Sequence, residues 1–246
     1  MKTIEDFLVA TKDDILEYFI SAVKHNDEYY NYTVKNDFPR YLYIPGKRAD
    51  RVLLVAHIDT VWGNNIPKIS NRNGVLYNSD IETLYTNTKK LSYDSSGFGI
   101  GADDRVGCYI LSELLDSGHS IFLNEYEEIH LGQLINSRDP QVREFIMSHK
   151  FAMEFDRWGN SDLCFYNKES DTFRDYIVSS FPGYKDAVGV GSDISELCLN
   201  LIPAVNLSCG YYRAHTPYEY VKIEEVENVL SMTKEFLKNN QSRWTI

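Results

Sequence analysis

Short apolar runs limit what this chain can fold into. RVLLVAH (51–57) and PAVNLSC (203–209) read as strands buried on both faces. SIFLNEYEE (120–128), FAMEFD (151–156) and DLCFYN (162–167) read as further strands, as do two aromatic-rich runs at 29–34 and 40–44. Helical periodicity separates them. Thr3 and Asp6 form a start signal for a helix over 4–24. Residues 105–117 read as a helix stopped by Gly118, and 139–149, 170–181 and 223–239 as three more. Residues 64–97 are polar, carry Asn73-Gly74 and read as a hairpin or irregular excursion. Strands alternating with helices predict an α/β fold, a three-layer α/β/α sandwich around a central mixed, largely parallel sheet. In such sheets the site lies beyond the C-terminal ends of the strands.

With 246 residues, no internal repeats and no Pro/Gly/Ser-rich linkers, the economical reading is a single domain over 1–246. No apolar run approaches the roughly 20 residues that span a bilayer. The start, MKTIEDFLVATKDDILEYF, carries acids where a secretory signal needs a basic opening, so the expected location is cytoplasmic. Cys108, Cys164, Cys198 and Cys209 are scattered and read as buried thiols. A net charge of −11 argues against nucleic acid and suits a site where carboxylates gather around cations.

Chemistry-bearing residues stand just past the apolar strands. RVLLVAH ends in His57, and Asp59 follows on the same side of the strand, where its carboxylate can fix the imidazole tautomer. Alone, this pair is equally a surface histidine near a turn. Glu127-Glu128 follow the second run, Asp156 ends the third, and His215 lies in the loop after the last. Each alone also fits an ordinary solvated residue, and Asp156 fits an ion pair with Arg157. FGIGADDRVG (98–107) adds two adjacent aspartates among small residues. GFGIG is not a phosphate loop, because its spacing is wrong and two acids follow. As a set, two histidines and several carboxylates form a nitrogen and oxygen donor set suited to Zn²⁺, Mn²⁺ or Co²⁺. They are too many anions for one zinc. Two cations about 3.5–4 Å apart, an arrangement used in hydrolysis, would engage them.

The series His57-x-Asp59, Gly101-Ala-Asp103-Asp104, Glu127-Glu128, Asp156 and His215 resembles the co-catalytic di-zinc exopeptidases. These include single-domain aminopeptidases, peptidase T-like tripeptidases, and related carboxypeptidases and deacylases. The resemblance covers about residues 50 to 222, with 46 residues from His57 to Asp103, then 25 to Glu128, 28 to Asp156 and 59 to His215. It implies that Asp103 bridges two divalent metals, with a cis peptide bond often following. His57 and Asp156 would complete one metal site, and Glu128 and His215 the other. Glu127 takes the place of the general base, Asp59 that of the partner of His57, and Glu219 that of a partner of His215. Gly191-Ser192-Asp193 and Tyr211-Tyr212-Arg213 lie near the family's substrate-side loops.

The chain departs from some relatives. The 59 residues between Asp156 and His215 leave no room for the lid or dimerisation domain that tripeptidases and carboxypeptidases insert there. GADDRVG and HTPYEYV stand nearer the tripeptidase branch than the secreted aminopeptidases, and His130 sits where relatives often carry glycine. Lid residues in the relatives often clamp the substrate carboxylate, so a lidless chain is expected to recognise the free amine. The expected activity is two-metal removal of N-terminal residues from short peptides, by an aminopeptidase or di/tripeptidase. A metal-dependent carboxypeptidase or N-acyl-amino-acid deacylase is the alternative, and a non-catalytic metal-binding relative a further one. No nucleic acid or membrane partner is expected, and the sequence leaves the oligomeric state open.

Overall fold

A computed structural model describes residues 1–25, 33–35, 40–81, 98–125, 127–129, 140–166, 169–189, 191–239 and 241. The strands are β1 (Thr33–Lys35), β2 (Tyr41–Ile44), β3 (Leu53–His57), β4 (Ile69–Arg72), β5 (Val75–Asn78), β6 (Ser120–Asn124), β7 (Ala152–Arg157), β8 (Asp162–Cys164), β9 (Lys185–Ala187), β10 (Ala204–Ser208), β11 (Tyr211–Tyr212) and β12 (Tyr220–Lys222). The helices are α1 (Ile4–Leu8), α2 (Lys12–His25), α3 (Ala102–Glu113), α4 (Pro140–Met147), α5 (Asp171–Ser180), α6 (Asp193–Leu197) and α7 (Ile223–Lys238).

Eight strands form the main sheet in the order β1-β2-β6-β3-β7-β10-β8-β9. Its centre, β6-β3-β7-β10, is parallel throughout. Antiparallel pairs bring in β2 and β1 at one side and β8 at the other, and β9 then runs parallel to β8. Every residue of β3, β6 and β10 is buried, as continuous apolar runs require. Side chains alternate between two cores. Leu54, Ala56, Met153, Phe155 and Leu207 meet residues of α1, α2, α3, α5 and α7 on one face. Leu53, Val55 and Phe122 meet Val142 and Ile146 of α4 and Ile194 and Leu197 of α6 on the other. The expected three-layer sandwich is therefore present. Four aligned parallel strands also bring their C-terminal ends to one rim.

Three local features differ from the sequence reading. The helix expected over 4–24 is two helices. Thr3 caps the first in a capping box with Asp6. A second cap then restarts the chain: the Thr11 amide and hydroxyl donate to Asp14 Oδ2 at 2.9 and 2.6 Å, and the Asp14 amide donates to Thr11 Oγ1 at 3.2 Å. Two caps eight residues apart, at Thr3 and Thr11, define two starts, which the apolar period alone does not separate. Next, the run 120–128 leaves the sheet after Asn124, and Glu127 and Glu128 sit on a 3₁₀ turn. Finally, β9, α6, β11 and β12 were not expected, whereas the hairpin alternative read for 64–97 is present as β4–β5 and joins β11 and β12 in a small sheet, β11-β12-β5-β4. Its β4–β5 hairpin turns through Asn73 (φ 54°) and Gly74 (φ 80°), the left-handed pair of a two-residue loop. Residues 82–97, His130 and most of the run at 29–34 lie outside the described residues.

Buried histidines fasten the opposite rim of the sheet. His119 Nδ1 accepts the Val52 N–H at 2.9 Å, and its Nε2–H donates to Leu237 O at 3.1 Å. His149 Nε2 lies 2.7 Å from Ser120 Oγ, which itself accepts the Gly46 N–H at 2.8 Å. His149 Nδ1 faces the Ile146 carbonyl at 3.3 Å and carries the proton of the neutral ring, so Nε2 accepts from the Ser120 hydroxyl. Burial, reinforced by Arg51, pushes the pKa of His149 down to about 4.

The unfolded chain thus takes up a proton near pH 6.5 that the folded chain resists until about 4. The stability this neutral ring contributes is complete above pH 6.5 and is lost as pH falls toward 4. Between pH 7.5 and 5 the expected loss is about 2 kcal/mol. Urea unfolding at the two pH values should show His149→Gln losing about that much less than wild type over the same interval. An unchanged pH difference would mean the ring is charged in the fold.

Candidate metal centre

His57 closes β3 at the functional rim and is fully buried. Its Nε2 lies 3.1 Å from Asp103 Oδ1, 3.8 Å from Asp156 Oδ1 and 3.9 Å from Glu127 Oε2. His215 arrives from the loop after β11, with Nε2 3.3 Å from Asp103 Oδ2 and 3.1 Å from Glu128 Oε2. The two Asp103 oxygens are thus divided between two groups, His57-Asp103-Asp156 and Asp103-Glu128-His215. Within each group the potential ligand atoms all lie within 4.8 Å of one another.

The paired aspartates have separate tasks. Asp103 faces the histidines, whereas Asp104 is fully buried and turned into the fold. Asp104 Oδ2 accepts the His57 N–H at 3.3 Å and Oδ1 accepts the Gly107 N–H at 2.8 Å. Cys108 Sγ donates to His57 O at 3.2 Å, so residues of α3 hold the His57 backbone on both sides. The Asp103–Asp104 peptide bond is cis. Gly101 takes φ 66° at the entry to α3, and a β-carbon at Gly107 would run into the Asp104 carboxylate. The small residues around the pair thus leave room for one acid to turn inward.

The remaining side chains are also anchored. His57 Nδ1 lies 3.1 Å from the Asp59 carbonyl and 3.5 Å from its carboxylate, so the closer of the two partners is the carbonyl. Asp59 Oδ2 instead accepts the Glu128 N–H at 3.3 Å, tying the His57 loop to the acidic turn. Glu128 Oε1 accepts the Val61 N–H at 3.1 Å. Just before this turn, Glu125 is buried and gripped by Lys12 of α2 and by Arg40. Asp156 is held by Asn206, whose Oδ1 accepts its N–H and whose Nδ2 donates to its carbonyl, both at 2.9 Å. The Tyr211 hydroxyl donates to Asp156 Oδ1 at 3.0 Å. Sequence reasoning passed over Asn206, and it set Tyr211 near the substrate-side loops rather than on Asp156. The available signal was one amide inside the otherwise apolar run PAVNLSC.

Glu219 was expected beside His215. Its carboxylate turns elsewhere: Oε2 accepts the Gly101 N–H at 2.8 Å and the Trp62 indole N–H at 3.3 Å, and Oε1 accepts the Asp103 N–H at 3.3 Å. Burial and nearby Asp103 push its pKa up to about 7 against these donors. Among the substrate-side candidates, Ser192 and Asp193 are buried, and Asp193 accepts from the Asn124 amide. The Tyr212 hydroxyl donates to Glu225 at 2.5 Å, and its ring stacks on Tyr220. Arg213 is exposed, with φ 57°, and lines a cavity of about 310 Å³ with Val75, Tyr77, Pro217 and Tyr220.

The electrostatics call for positive charge. Burial lowers the affinity of His57 for a proton, but Asp103, Asp156 and Asp59 outweigh it and hold the pKa well above the usual imidazole value. Bonds to Asp103 and Glu128 push that of His215 up to about 10. Burial and Asp103 raise the Asp156 carboxyl well above its usual range, and burial raises Glu127. Protons or cations can balance such a cluster. Its nitrogen and oxygen donors, grouped in two sets around one divided carboxylate, fit a pair of divalent metals.

No family model matches the sequence, and no curated protein does. Solved structures match the fold along nearly all of the chain. The aminopeptidase PepT from Bacillus cereus superposes with a TM-score of 0.63 at 13% identity, covering 96% of this chain and 97% of its own. A tripeptidase from Staphylococcus aureus gives 0.60 at 14%, covering 96% of each chain. A TET aminopeptidase from a marine-sediment Thaumarchaeota archaeon gives 0.59 at 12%, again with 96% of each. The chain thus has the fold of PepT-like and TET aminopeptidases, as the sequence resemblance predicted.

The inward turn of Asp104 can be tested through Gly107. In Gly107→Ala the added methyl displaces the Asp104 carboxylate from the His57 and Gly107 amides. Urea unfolding should show a loss of about 1–3 kcal/mol, the usual range for overpacking a full core. Wild-type stability would mean that Asp104 has room to move.

Proposed function

We propose that this chain is a two-metal exopeptidase that removes N-terminal residues from short peptides, as an aminopeptidase or di/tripeptidase. The observation that carries this reading is the division of the Asp103 oxygens between two His/carboxylate groups, with Glu127 alongside. His57 and Asp156 would hold one cation, Glu128 and His215 the other, and Asp103 both. Zn²⁺ suits the donors best, with Co²⁺ or Mn²⁺ as substitutes. Bound there, two divalent cations would acidify a water and polarise the scissile carbonyl.

The chain's own groups supply the rest. Glu127 takes a proton from the attacking water at its carboxylate and passes it to the leaving amine. Its partial burial raises its pKa and makes it a stronger base than a solvated glutamate. Asp59 holds His57 through its carbonyl and the Glu127-Glu128 turn through its carboxylate. The likeness in fold to proteins described as aminopeptidases and a tripeptidase supports this class of reaction. The reading takes residues 1–246 as one catalytic domain without a lid, working in the cytoplasm. Among the described residues no helix is long and apolar enough to cross a membrane.

One observation favours a second reading. Arg213 is the cation lining the cavity beside the His215 loop, whose walls also include Tyr77, Tyr220 and Glu219. A substrate carboxylate held there would make the enzyme a carboxypeptidase or an N-acyl-amino-acid deacylase. One dipeptide in free, N-acetylated and C-amidated forms separates the two. Cleavage abolished by acetylation and indifferent to amidation is the expected result, and the reverse would establish the second reading.

The base is tested by Glu127→Gln. Zinc content should stay at the wild-type value, while turnover falls at least about 100-fold, the scale of general-base loss. Turnover near wild type would remove Glu127 from this role.

A further inference from the structure

Glu219 is almost completely buried, at 1% exposure, and among the described residues three N–H groups donate to its carboxylate. They belong to two chain segments. Gly101 and Asp103 lie at the start of α3, and Trp62 lies in the turn after His57. Glu219 itself closes the segment that carries His215, its own N–H donating to Thr216 O at 3.1 Å. The Trp62 turn reaches the second group as well, since the Val61 N–H donates to Glu128 Oε1. The space around the carboxylate is closed. A β-carbon on Gly99 would run into Glu219 Oε2, Thr216 O and the Trp62 indole nitrogen.

We infer that Glu219 is a positioning residue for the divided carboxylate: by accepting the Asp103 N–H, it fixes where Asp103 presents its two oxygens. The inference rests on the two-metal reading and extends it to a residue that would touch neither metal nor substrate. Three donors converging on one side chain require an acceptor-only group, which a carboxylate is and an amide is not. In Glu219→Gln the amide oxygen can remain where Gly101 and Trp62 both donate. Its NH₂ must then face the Asp103 N–H, so the mismatch falls on the backbone of Asp103. Because Asp103 serves both groups, both cations should lose affinity together.

The test is zinc binding, by stoichiometry and chelator competition, alongside thermal unfolding of the metal-free protein. Glu219→Gln should bind both zincs about 10–100-fold more weakly, the scale for losing a group that orients a ligand, with metal-free unfolding close to wild type. Gly99→Ala, which displaces the carboxylate without altering it, should reproduce the effect. Trp62→Phe removes one donor to Oε2, spares the Asp103 bond, and should stay near wild type. Wild-type zinc affinity in Glu219→Gln would overturn the inference, and so would a Trp62→Phe defect of equal size. Failure of both Glu219→Gln and Gly99→Ala to fold would also overturn it, by making the carboxylate a support of the fold. A wild-type chain that takes up no zinc under any loading condition would remove the two-metal reading itself.

Discussion

The constraint on which the rest depends is the desolvation of Asp103 between two imidazoles. A carboxylate at the rim of a buried sheet is costly unless positive charge or N–H donors face it. Here burial alone would raise the Asp103 pKa, and His215 and His57 reverse that, holding the carboxyl well below the usual range. Much of the local architecture serves this arrangement. Parallel pairing of β6, β3 and β7 sets the segments bearing His57, Glu127-Glu128 and Asp156 side by side. The inward turn of Asp104 lets α3 start beneath the site while its carboxylate and Cys108 hold the His57 backbone.

The sequence made the skeleton of the candidate site legible because His57, Glu127-Glu128, Asp156 and His215 close or follow runs whose burial is plain from composition. RVLLVAH must be a central strand, so the rim position of His57 follows from period and topology alone. The two aspartates were legible as a feature, but their division of labour was not. Which acid turns inward depends on the absence of a side chain at Gly107, a contact that sequence spacing does not contain. Glu219 was placed at the right site with the wrong partner. Its position near His215 in the chain suggested an interaction with that ring, whereas the fold turns its carboxylate toward Gly101, Asp103 and Trp62.

The supporting residues were harder to read for a common physical reason. Asn206 and Tyr211 act across strands, and the bond from Tyr211 to Asp156 joins residues 55 positions apart. The β10–β7 register that brings them together is fixed by three-dimensional pairing. The helix break at residues 9–11 is the opposite case. Its signal, Thr11 three residues before Asp14, is local, yet the apolar period runs through it undisturbed.

The residues that would hold metal come from five separated stretches, and His57 and His215 stand at opposite ends of that span. The first group reaches from residue 57 to 156 and the second from 103 to 215, with Asp103 common to both. Ligand assembly therefore waits on long-range strand pairing, whose loop-closure entropy makes such folds slow to form. A cation held by both sides of the span favours the folded chain over the unfolded one by mass action. On the two-metal reading, the divided carboxylate would make metal supply a determinant of how long the chain survives, as well as of what it does.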